Sequence, residues 1–290
     1  MTPDDAMIDQ LLALDPGRRG IARFFVRAGA AAAARALLRG TRTLITTGFA
    51  VGPGQPETDG PPGAAALGRA LRMLGHKVRY VTDPITVPLM RAALEVLGEP
   101  PELIAFEGEG GCAAAQRLLE AEAPTHLVSI ERPGRTHDGD YRNARGQSVR
   151  AWNAPLDVLF LNAPRRTITV GIGDGGNEIG MGNVRARIAR AGGRSIASIV
   201  TVKHLVVAGT SNWGAHGVVA ELSRLAARPL LHSADEERRM VEACVAAGAV
   251  DGITRRPEAT VDGLPLAAHV GMLELLRLFA GTPRTGGSTR

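Results

Sequence analysis

The stretch TITVGIGDGGNEIGMGN, residues 167–183, joins an apolar run to a loop rich in glycine and acid. Its first half, 167–173, is uncharged and rich in β-branched residues, which is typical of a buried strand. The second half carries Asp174 and Glu178 among its glycines, and a helical pattern follows over 181–191. A strand, a tight turn and a helix in succession form the repeating unit of a parallel sheet, so this stretch predicts an α/β fold.

The same alternation extends along most of the chain. Further strands are predicted at 43–51, 77–83, 102–106, 125–130 and at the start of 204–214. Helices are predicted at 4–14, 21–39, from Pro61 to Gly75, and at 86–97, 111–122, 156–163, 215–227, 235–247 and 264–280, while 195–202 fits either type. Short loops between these elements predict a doubly wound, mainly parallel sheet with helices on both faces. A polar inserted loop, 131–155, follows the fourth strand.

The composition allows one substantial core. Apolar residues make up 44 % of the 290 residues and aromatic residues only 3 %, so the core must consist of Leu, Val, Ile and Ala. Such a core suits parallel strands covered by Ala-rich helices. Because we find no low-complexity linker and no internal repeat, we predict a single α/β domain over 1–280 and a disordered tail over 281–290.

The chain is basic, with a formal net charge of +5 and a pI near 10.0. All of its 34 basic residues except Lys77 and Lys203 are arginine, and they are scattered among acids. Nucleic-acid surfaces combine clustered basic residues with aromatic stacking platforms, and this sequence has neither pattern. We therefore attribute the basicity to a GC-rich coding bias and expect no nucleic-acid partner.

Several features bear on the compartment. Cys112 and Cys244 are isolated and lack metal-ligand spacing, which indicates a reducing environment. The first ten residues are acidic and contain no apolar signal core. No apolar run approaches the roughly 20 residues needed to span a bilayer. These features predict a cytoplasmic protein without a membrane partner.

Common catalytic signatures are missing from the sequence. It contains no G-x-S-x-G elbow, no Walker sequence and no H-E-x-x-H motif. We interpret its seven histidines mainly as surface or packing residues. A match to G-x-G-x-x-G exists through Gly171, Gly173 and Gly176, but no acid that could bind a ribose occurs between Glu178 and Glu221. No nucleotide cofactor is therefore expected.

Polar residues follow several of the predicted strands at their carboxyl ends, where ligands bind in open α/β sheets. The residues in these positions are Glu57, Thr58 and Asp59; Asp83; Glu131, Arg132, Arg135, Asp138, Asp140, Tyr141 and Asn143; Asp174, Asn177 and Glu178; and Thr210, Ser211 and Asn212. Asp174 and Glu178 could share proton transfer or hold a divalent cation. The alternative is that Asp174 caps a helix and Glu178 interacts with the helix dipole.

Five segments together resemble the D-glutamate cyclase family, and they occur in the order expected for it. Several motifs in one order are more specific than a single glycine pattern, and the resemblance covers most of 15–275. The matching segments are TTGFAVGPGQPETDGPPGAAALGRAL (46–71), ERPGRTHDGDYRNARGQ (131–147), APLDVLF (154–160), GIGDGGNEIGMGN (171–183) and AGTSNWG (208–214).

The resemblance implies a hydro-lyase that reversibly dehydrates D-glutamate to 5-oxo-D-proline, with an amino acid or lactam as its small-molecule substrate. We assign roles in this reaction from residue type and position. The predicted catalytic residues are Asp174, Glu178 and Asp59. The predicted substrate-binding residues are Arg132, Arg135, Asp140, Tyr141, Asn143, Gly175, Gly176, Asn177, Ser211 and Asn212. The candidate ligands for Mg²⁺ or Mn²⁺ are Glu57, Asp174 and Glu178.

Two other functions remain open at this stage. The first is a dinucleotide-dependent oxidoreductase, and the second is a non-catalytic amino-acid-binding module. Carboxylates beside the glycine loop weigh against both, because each would have to accommodate an anionic ligand there. The sequence also leaves open whether the protein forms a homo-oligomer.

Overall fold

A computed structural model describes residues 5–108 and 110–281. In chain order the strands are β1 (Arg42–Thr47), β2 (Ala50–Gly52), β3 (Gln55–Pro56), β4 (Lys77–Thr82), β5 (Leu103–Ala105), β6 (His126–Ile130), β7 (Ile168–Gly173), β8 (His204–Val207), β9 (Thr260–Val261) and β10 (Leu264–Pro265). The helices are α1 (Asp5–Leu12), α2 (Gly29–Leu37), α3 (Pro61–Met73), α4 (Val87–Val96), α5 (Gly111–Glu122), α6 (Asp157–Leu161), α7 (Arg185–Ile188), α8 (Ser211–Ala226), α9 (Ala234–Ala246) and α10 (Leu266–Ala280).

Six strands form a parallel sheet in the order β5-β4-β1-β6-β7-β8. From β1, the chain first adds β4 and β5 on one side, and it then adds β6, β7 and β8 on the other side. The predicted doubly wound α/β architecture is thereby confirmed. Such a sheet has a topological switch point, here between β1 and β6, where the connecting loops diverge and leave a crevice.

The core occupies both faces of this sheet because neighbouring residues of a strand point to opposite sides. Leu44 and Leu127 contribute to one apolar cluster, together with side chains of α5 and α6. Ile45 and Val128 contribute to the larger cluster on the opposite face, together with side chains of α3, α4 and α8. Among the described residues, no helix combines the length and the apolar character needed to cross a bilayer.

The structure divides the first predicted strand into two elements. The predicted run 43–51 ends its sheet pairing at Thr47, and β2 then pairs with β3 in a separate hairpin. Gly48 causes the break, because its φ of 100° lies in the left-handed region that glycine tolerates best. This hairpin carries the chain to the acids that follow it, Glu57 and Asp59.

Helix boundaries differ from the predictions where glycine or capping residues intervene. The predicted helix 21–39 begins only at Gly29, after a short 3₁₀ turn. The predicted helix 181–191 breaks into a 3₁₀ turn, α7 and a π turn, and Gly192 has a φ of 97°. The helix predicted from residue 215 begins at Ser211, because the side chain of Thr210 accepts the N–H of Trp213 and caps it.

Other predictions concern the segment 195–202, the polar loop after β6 and the tail. The sequence of 195–202 fits either a strand or a helix, and residues 197–202 form neither. The predicted polar loop 131–155 contains a short 3₁₀ helix, Arg150–Trp152. Of the predicted tail 281–290, all but Gly281 lies outside the described residues.

Candidate active site

A pocket with an acidic floor lies at the switch point between β1 and β6. Its cavity volume is about 60 Å³. Glu57, Glu131 and Asp262 line it together with Arg19. Two further carboxylates, Asp59 and Asp174, are buried beside Glu131. The predicted convergence of acids from the loops after β1 and β7 is therefore present, and Glu131 joins them from the loop after β6.

Asp59 and Asn212 join the start of α3 to the start of α8 by capping each other's helix. The two carboxylate oxygens of Asp59 accept the backbone N–H groups of Ser211 and Asn212, each at 2.8 Å. In return, Asn212 Oδ1 accepts the N–H groups of Gly60 at 3.0 Å and Gly63 at 2.8 Å. Both helices have free N–H groups in their first turn, and here each helix obtains its acceptors from the other.

Glu131 follows β6 directly and has a φ of 43°, an uncommon conformation for a residue with a side chain. Its Oε2 accepts a hydrogen bond from Ser211 Oγ at 2.6 Å. The conformation turns the side chain from the end of the strand toward the pocket, which it lines. Strained backbone of this kind is concentrated at functional sites, which is consistent with a functional role for Glu131.

Gly60 allows the loop after β1 to lie against the loop after β6. A Cβ atom at this position would lie 2.6 Å from Thr47 Oγ1 and 2.9 Å from the Cβ of Glu131. Its φ of 103° adds a conformation that other residues avoid. The close approach of the two acid-bearing loops therefore depends on this glycine.

Arg19 is the cation at the floor of the pocket. Its Nη1 and Nη2 bind Asp174 at 2.6 and 2.7 Å, and Nη1 also lies 2.6 Å from Asp262. Asp262 sits at the turn between β9 and β10, with a φ of 55°, followed by Gly263 with a φ of 75°. Two successive positive φ values are typical of the type I′ hairpin turn.

The buried carboxylates outnumber the guanidinium groups beside them, and this raises their pKa values. Burial and the charges of Glu131 and Asp262 hold the pKa of Glu57 well above its usual range. Burial and the charge of Glu178 do the same for the pKa of Glu131. The pKa of Asp59 rises to about 8, through burial and Asp262, although its two N–H donors oppose the rise. Burial also raises the pKa of Asp174 despite its contact with Arg19.

A group of three carboxylates in the site could hold a metal ion. In the part of the chain that the structure describes, oxygen atoms of Asp59, Glu131 and Asp174 lie within 4.8 Å of one another. At that separation two ionised groups repel each other by at least about 3 kcal/mol at an effective dielectric constant of about 20. The group must therefore retain protons or bind a cation, and its oxygen donors suit Mg²⁺ or Mn²⁺. Of the three predicted metal ligands, Asp174 belongs to this group.

Glu178 holds the glycine loop rather than facing the pocket. Its Oε1 accepts the N–H groups of Asp174 at 3.1 Å and Gly175 at 2.5 Å, and its Oε2 accepts that of Gly176 at 2.7 Å. The N–H groups of Gly175 and Gly176, two residues predicted to bind substrate, are therefore already bound to a carboxylate of the protein. A pyrophosphate would need the same groups, which weighs against a dinucleotide at this loop.

Arg132 and Arg135 are bound to carboxylates of the protein itself. Arg132 is fully buried, pairs with Asp83 and donates to the carbonyl of Gly48 at 2.8 Å. Arg135 Nε binds Asp157 at 2.6 Å. Tyr141 belongs to the same network, because its hydroxyl donates to Asp157 at 2.6 Å. These three residues hold the segment after β6 in place, and their predicted contact with substrate remains a prediction.

Asn143, Asn177 and Asp140, which were also predicted to bind substrate, belong to the loops around the pocket. Asn143 and Asn177 line the pocket. Asn143 Oδ1 accepts two backbone N–H groups of its own turn, and Asn177 Nδ2 donates to the carbonyl of Arg142 at 2.8 Å. Asp140 binds the Ser148 hydroxyl at 2.7 Å within the same loop. The structure thus places two predicted residues at the pocket and gives Asp140 a role within its loop.

Sequence reasoning missed Arg255, Arg19 and Asp262, whereas Arg145 belongs to the arginines of the predicted polar loop 131–155. All four residues line the pocket. Arg145 is exposed and Arg255 half-buried, so they lie at the mouth, whereas the more deeply buried Arg19 and Asp262 lie at the floor. Asp262 had a detectable signal, because Asp-Gly between apolar residues is a strong hairpin signature. Arg19 and Arg255 had none, since nothing in the sequence relates either residue to this pocket.

Comparisons with known proteins agree with the resemblance seen in the sequence. A family model described as "D-glutamate cyclase-like, C-terminal" matches residues 8–277. The human protein named "D-glutamate cyclase, mitochondrial" is 36% identical over 234 residues. The alignment covers 74% of this chain but only 38% of the human protein, so this chain spans less than half of that relative's length.

Two solved structures were also found by comparison of folds. An exopolyphosphatase-related protein from Bacteroides fragilis has a TM-score of 0.45 and 9% identity, over 89% of this chain and 58% of that one. RecJ from Thermus thermophilus, solved in complex with Mn²⁺, has a TM-score of 0.38 and 15% identity, over 84% of this chain and 26% of that one. Both scores lie below 0.5, so these two structures carry no argument about this protein.

Proposed function

Because the chain belongs to the D-glutamate cyclase-like, C-terminal family, we propose that it is a hydro-lyase that interconverts D-glutamate and 5-oxo-D-proline. One observation carries the proposal beyond family membership. Glu57 and Glu131, whose pKa values burial raises, line a pocket that has Arg145 and Arg255 at its mouth. A raised pKa makes a carboxyl group better able to hold a proton and to act as the acid that this reaction needs.

The reaction moves two protons without a net change of charge. The amino nitrogen forms a bond to the side-chain carboxyl carbon, and one carbon–oxygen bond of that carboxyl group breaks. The ammonium group loses two protons, and the departing oxygen gains two and leaves as water. A catalyst must therefore accept protons from nitrogen and return them to oxygen within one site.

Glu131 and Glu57 are suited to this transfer because they share a pocket and influence each other's charge. When one carboxyl group is ionised, it can take a proton from the ammonium group and free the nitrogen lone pair. When the other is protonated, it can donate to the side-chain carboxylate, which is otherwise a poor electrophile. Asp59 is buried beside Glu131 and has a pKa of about 8, so it can exchange a proton with these two groups.

Three arginines complement the two negative ends of the substrate. Arg145 and Arg255 at the mouth would bind its α-carboxylate, since a guanidinium group binds a carboxylate through paired hydrogen bonds. Arg19 lines the pocket while it binds Asp174 and Asp262, and its charge would act on the oxyanion that forms as nitrogen attacks without replacing either ion pair. This assignment moves the anion-binding role from Arg132 and Arg135, which bind Asp83 and Asp157.

The other predicted residues act by positioning these groups. Asp174 orients Arg19, and Glu178 fixes the loop that carries Asp174. Ser211 hydrogen-bonds Glu131, and Asn212 fixes the loop that carries Asp59. The predicted catalytic roles of Asp174 and Glu178 thereby become supporting roles within the same proposal.

A divalent cation fits this donor set. Mg²⁺ or Mn²⁺ would be held by Asp59, Glu131 and Asp174, whose crowded charges a cation would neutralise. When bound, it would polarise the side-chain carboxylate as a Lewis acid. Proton transfer by Glu57 and anion binding by Arg145 and Arg255 do not depend on it.

The experiment is incubation with 5-oxo-D-proline and D-glutamate, and separately with both L-enantiomers, with and without Mn²⁺, followed by chiral product analysis. We expect each D-compound to yield the other and the L-compounds to react much more slowly. The Glu131→Gln variant controls for a contaminating enzyme, because it should lose the activity. Binding of D-glutamate without turnover would instead favour an amino-acid-binding module and contradict the proposal.

A further inference from the structure

A second group of chemically capable side chains lies between α8 and α9, separate from the acidic floor of the pocket. His216 projects from α8, His232 precedes α9, and Glu237 lies in the first turn of α9. Their side chains are 0, 1 and 0 % exposed, respectively. One ligand atom from each lies within 4.8 Å of the other two.

These side chains have too few partners for so deep a position. His232 Nε2 lies 2.7 Å from Glu237 Oε2, a normal hydrogen bond. His216 Nε2 lies 3.6 Å from the same oxygen, which is too far for one. Among the described residues no partner is found for either ring nitrogen of His216, for His232 Nδ1 or for Glu237 Oε1. Each unpaired buried polar group costs about 1–3 kcal/mol.

The place of the carboxylate also favours a cation. Glu237 is fully buried, with the imidazole rings of His216 and His232 beside its Oε2. A carboxylate that is ionised in a dry interior needs a compensating positive charge, which a bound cation would supply.

We propose that His216, His232 and Glu237 form a buried site that binds Zn²⁺ through three protein ligands. Two imidazole nitrogens and one carboxylate oxygen are a ligand set that suits Zn²⁺ better than Mg²⁺ or Mn²⁺. Water would complete the tetrahedron. His269 is not a fourth ligand, because its Nδ1 accepts the indole N–H of Trp213 at 2.9 Å and its Nε2 therefore carries the proton.

The ion would fix the geometry of α8 relative to α9. His216 lies about one turn after Ser211 and Asn212, which bind Glu131 and hold the loop of Asp59. A metal on His216 thus stabilises the helix whose start supports the acidic floor. The inference does not rest on the cyclase proposal, since an inactive protein would bind the same ion.

The test is the metal content of the purified full-length chain after dialysis against a chelator and addition of Zn²⁺. We expect about one Zn²⁺ per chain and a Tm that rises with Zn²⁺ concentration. His216→Gln and Glu237→Gln should each lose the bound ion and the Zn²⁺-dependent rise in Tm. His137→Gln, at an exposed histidine, and His126→Gln, at a buried one far along the chain, are matched controls that should retain both.

Two measurements keep the test decisive if a variant fails to fold. X-ray absorption of the wild-type zinc protein should show a shell of nitrogen and oxygen only, at about 2.0–2.1 Å. Asp174→Asn should leave the zinc content unchanged, because that residue belongs to the other site. Wild-type protein without stoichiometric zinc, as expected if water fills the site, would overturn the proposal. So would zinc that Asp174→Asn removes and His216→Gln retains.

Discussion

Arg19 binds Asp174 through both of its terminal nitrogens, Nη1 to Oδ2 at 2.6 Å and Nη2 to Oδ1 at 2.7 Å. The same Nη1 lies 2.6 Å from Asp262, so one guanidinium group neutralises two carboxylates. Glu57, Asp59 and Glu131 are buried around this pair. The buried carboxylates of this site therefore outnumber the positive charges beside them.

The first prediction concerns stability against pH. The folded pKa of Asp59 is about 8, whereas an unperturbed Asp titrates near 3.9. The folded state therefore holds more protons than the unfolded state. The contribution of Asp59 to the free energy of unfolding is full below the unfolded pKa and is lost as the pH rises through the folded pKa. We expect the free energy of unfolding to fall between pH 7 and pH 9, measured by urea denaturation at constant ionic strength.

The Glu57→Gln variant tests whether the buried carboxyl groups cause this decline in stability, because it removes one carboxyl group whose pKa burial raises. Its stability should decline less than that of the wild type over the same pH range. His126 and His216 do not interfere, since burial lowers their pKa values to about 4. An unchanged slope in Glu57→Gln would show that the decline has another cause.

The second prediction concerns Mn²⁺. A cation favours ionised carboxylates, so saturating Mn²⁺ should raise Tm more at pH 9 than at pH 6, where the cluster holds protons. The rise should shrink in Asp174→Asn, which removes one of the three grouped carboxylates, and persist in His216→Gln. Equal shifts at both pH values, measured by differential scanning calorimetry, would argue against metal binding by these acids.

The third prediction concerns the proton-transfer residue. Glu131→Gln preserves size and can still accept from Ser211, which lies 2.6 Å from the carboxylate. Because the amide cannot exchange protons, kcat for D-glutamate cyclisation should fall by about 10²–10⁴-fold. Glu95→Gln, at an exposed position on α4, should keep wild-type kcat. A loss of less than about threefold would remove Glu131 from the chemistry.

The fourth prediction separates two neighbouring arginines. Arg255 lines the pocket mouth, whereas the adjacent Arg256 is exposed and pairs with Glu258 at 3.6 Å. Arg255→Gln should raise KM about tenfold or more with a smaller change in kcat, because a charged hydrogen bond to bound substrate is lost. Arg256→Gln should change neither constant by more than about twofold. Steady-state kinetics in which both variants behave alike would contradict the assignment.

The fifth prediction concerns the close approach at Gly60. Gly60→Ala would place its Cβ 2.6 Å from Thr47 Oγ1, and we expect a loss of about 2–4 kcal/mol in unfolding free energy. Gly75→Ala is the matched control, because Gly75 also has a positive φ, 91°, but has nothing within 4 Å of the added Cβ. It should cost only the backbone term, about 1–2 kcal/mol. Equal losses in urea denaturation would exclude steric contact at Gly60.

Much of the fold could be predicted because its signals are local. Apolar runs separated by Gly and Pro predicted the strands, and Pro61 and Pro62 marked the start of α3 correctly. The carboxyl-end rule for parallel sheets then placed Asp59 and Asp174 near each other. The boundaries that were wrong depend on single backbone conformations, such as that of Gly48, which no periodicity records.

The roles of the arginines could not be predicted, because they depend on which carboxylate lies nearby. Arg132 meets Asp83, which is 49 residues away in sequence, and Arg135 meets Asp157. Only the fold shows that these guanidinium groups are already paired. The histidines present the same difficulty, since His216 and Glu237 lie on different helices and form no linear motif.

We propose that the pocket breaks and forms the bond between nitrogen and the side-chain carboxyl carbon by proton transfer through Glu131. Hydrolysis of 5-oxo-D-proline in H₂¹⁸O, with mass spectrometry of the product, follows this bond itself. We expect D-glutamate with a single ¹⁸O in its side-chain carboxylate from one turnover, and a rate at least about 100-fold lower in Glu131→Gln. Label no higher than in enzyme-free solution, or equal rates in wild type and Glu131→Gln, would contradict it.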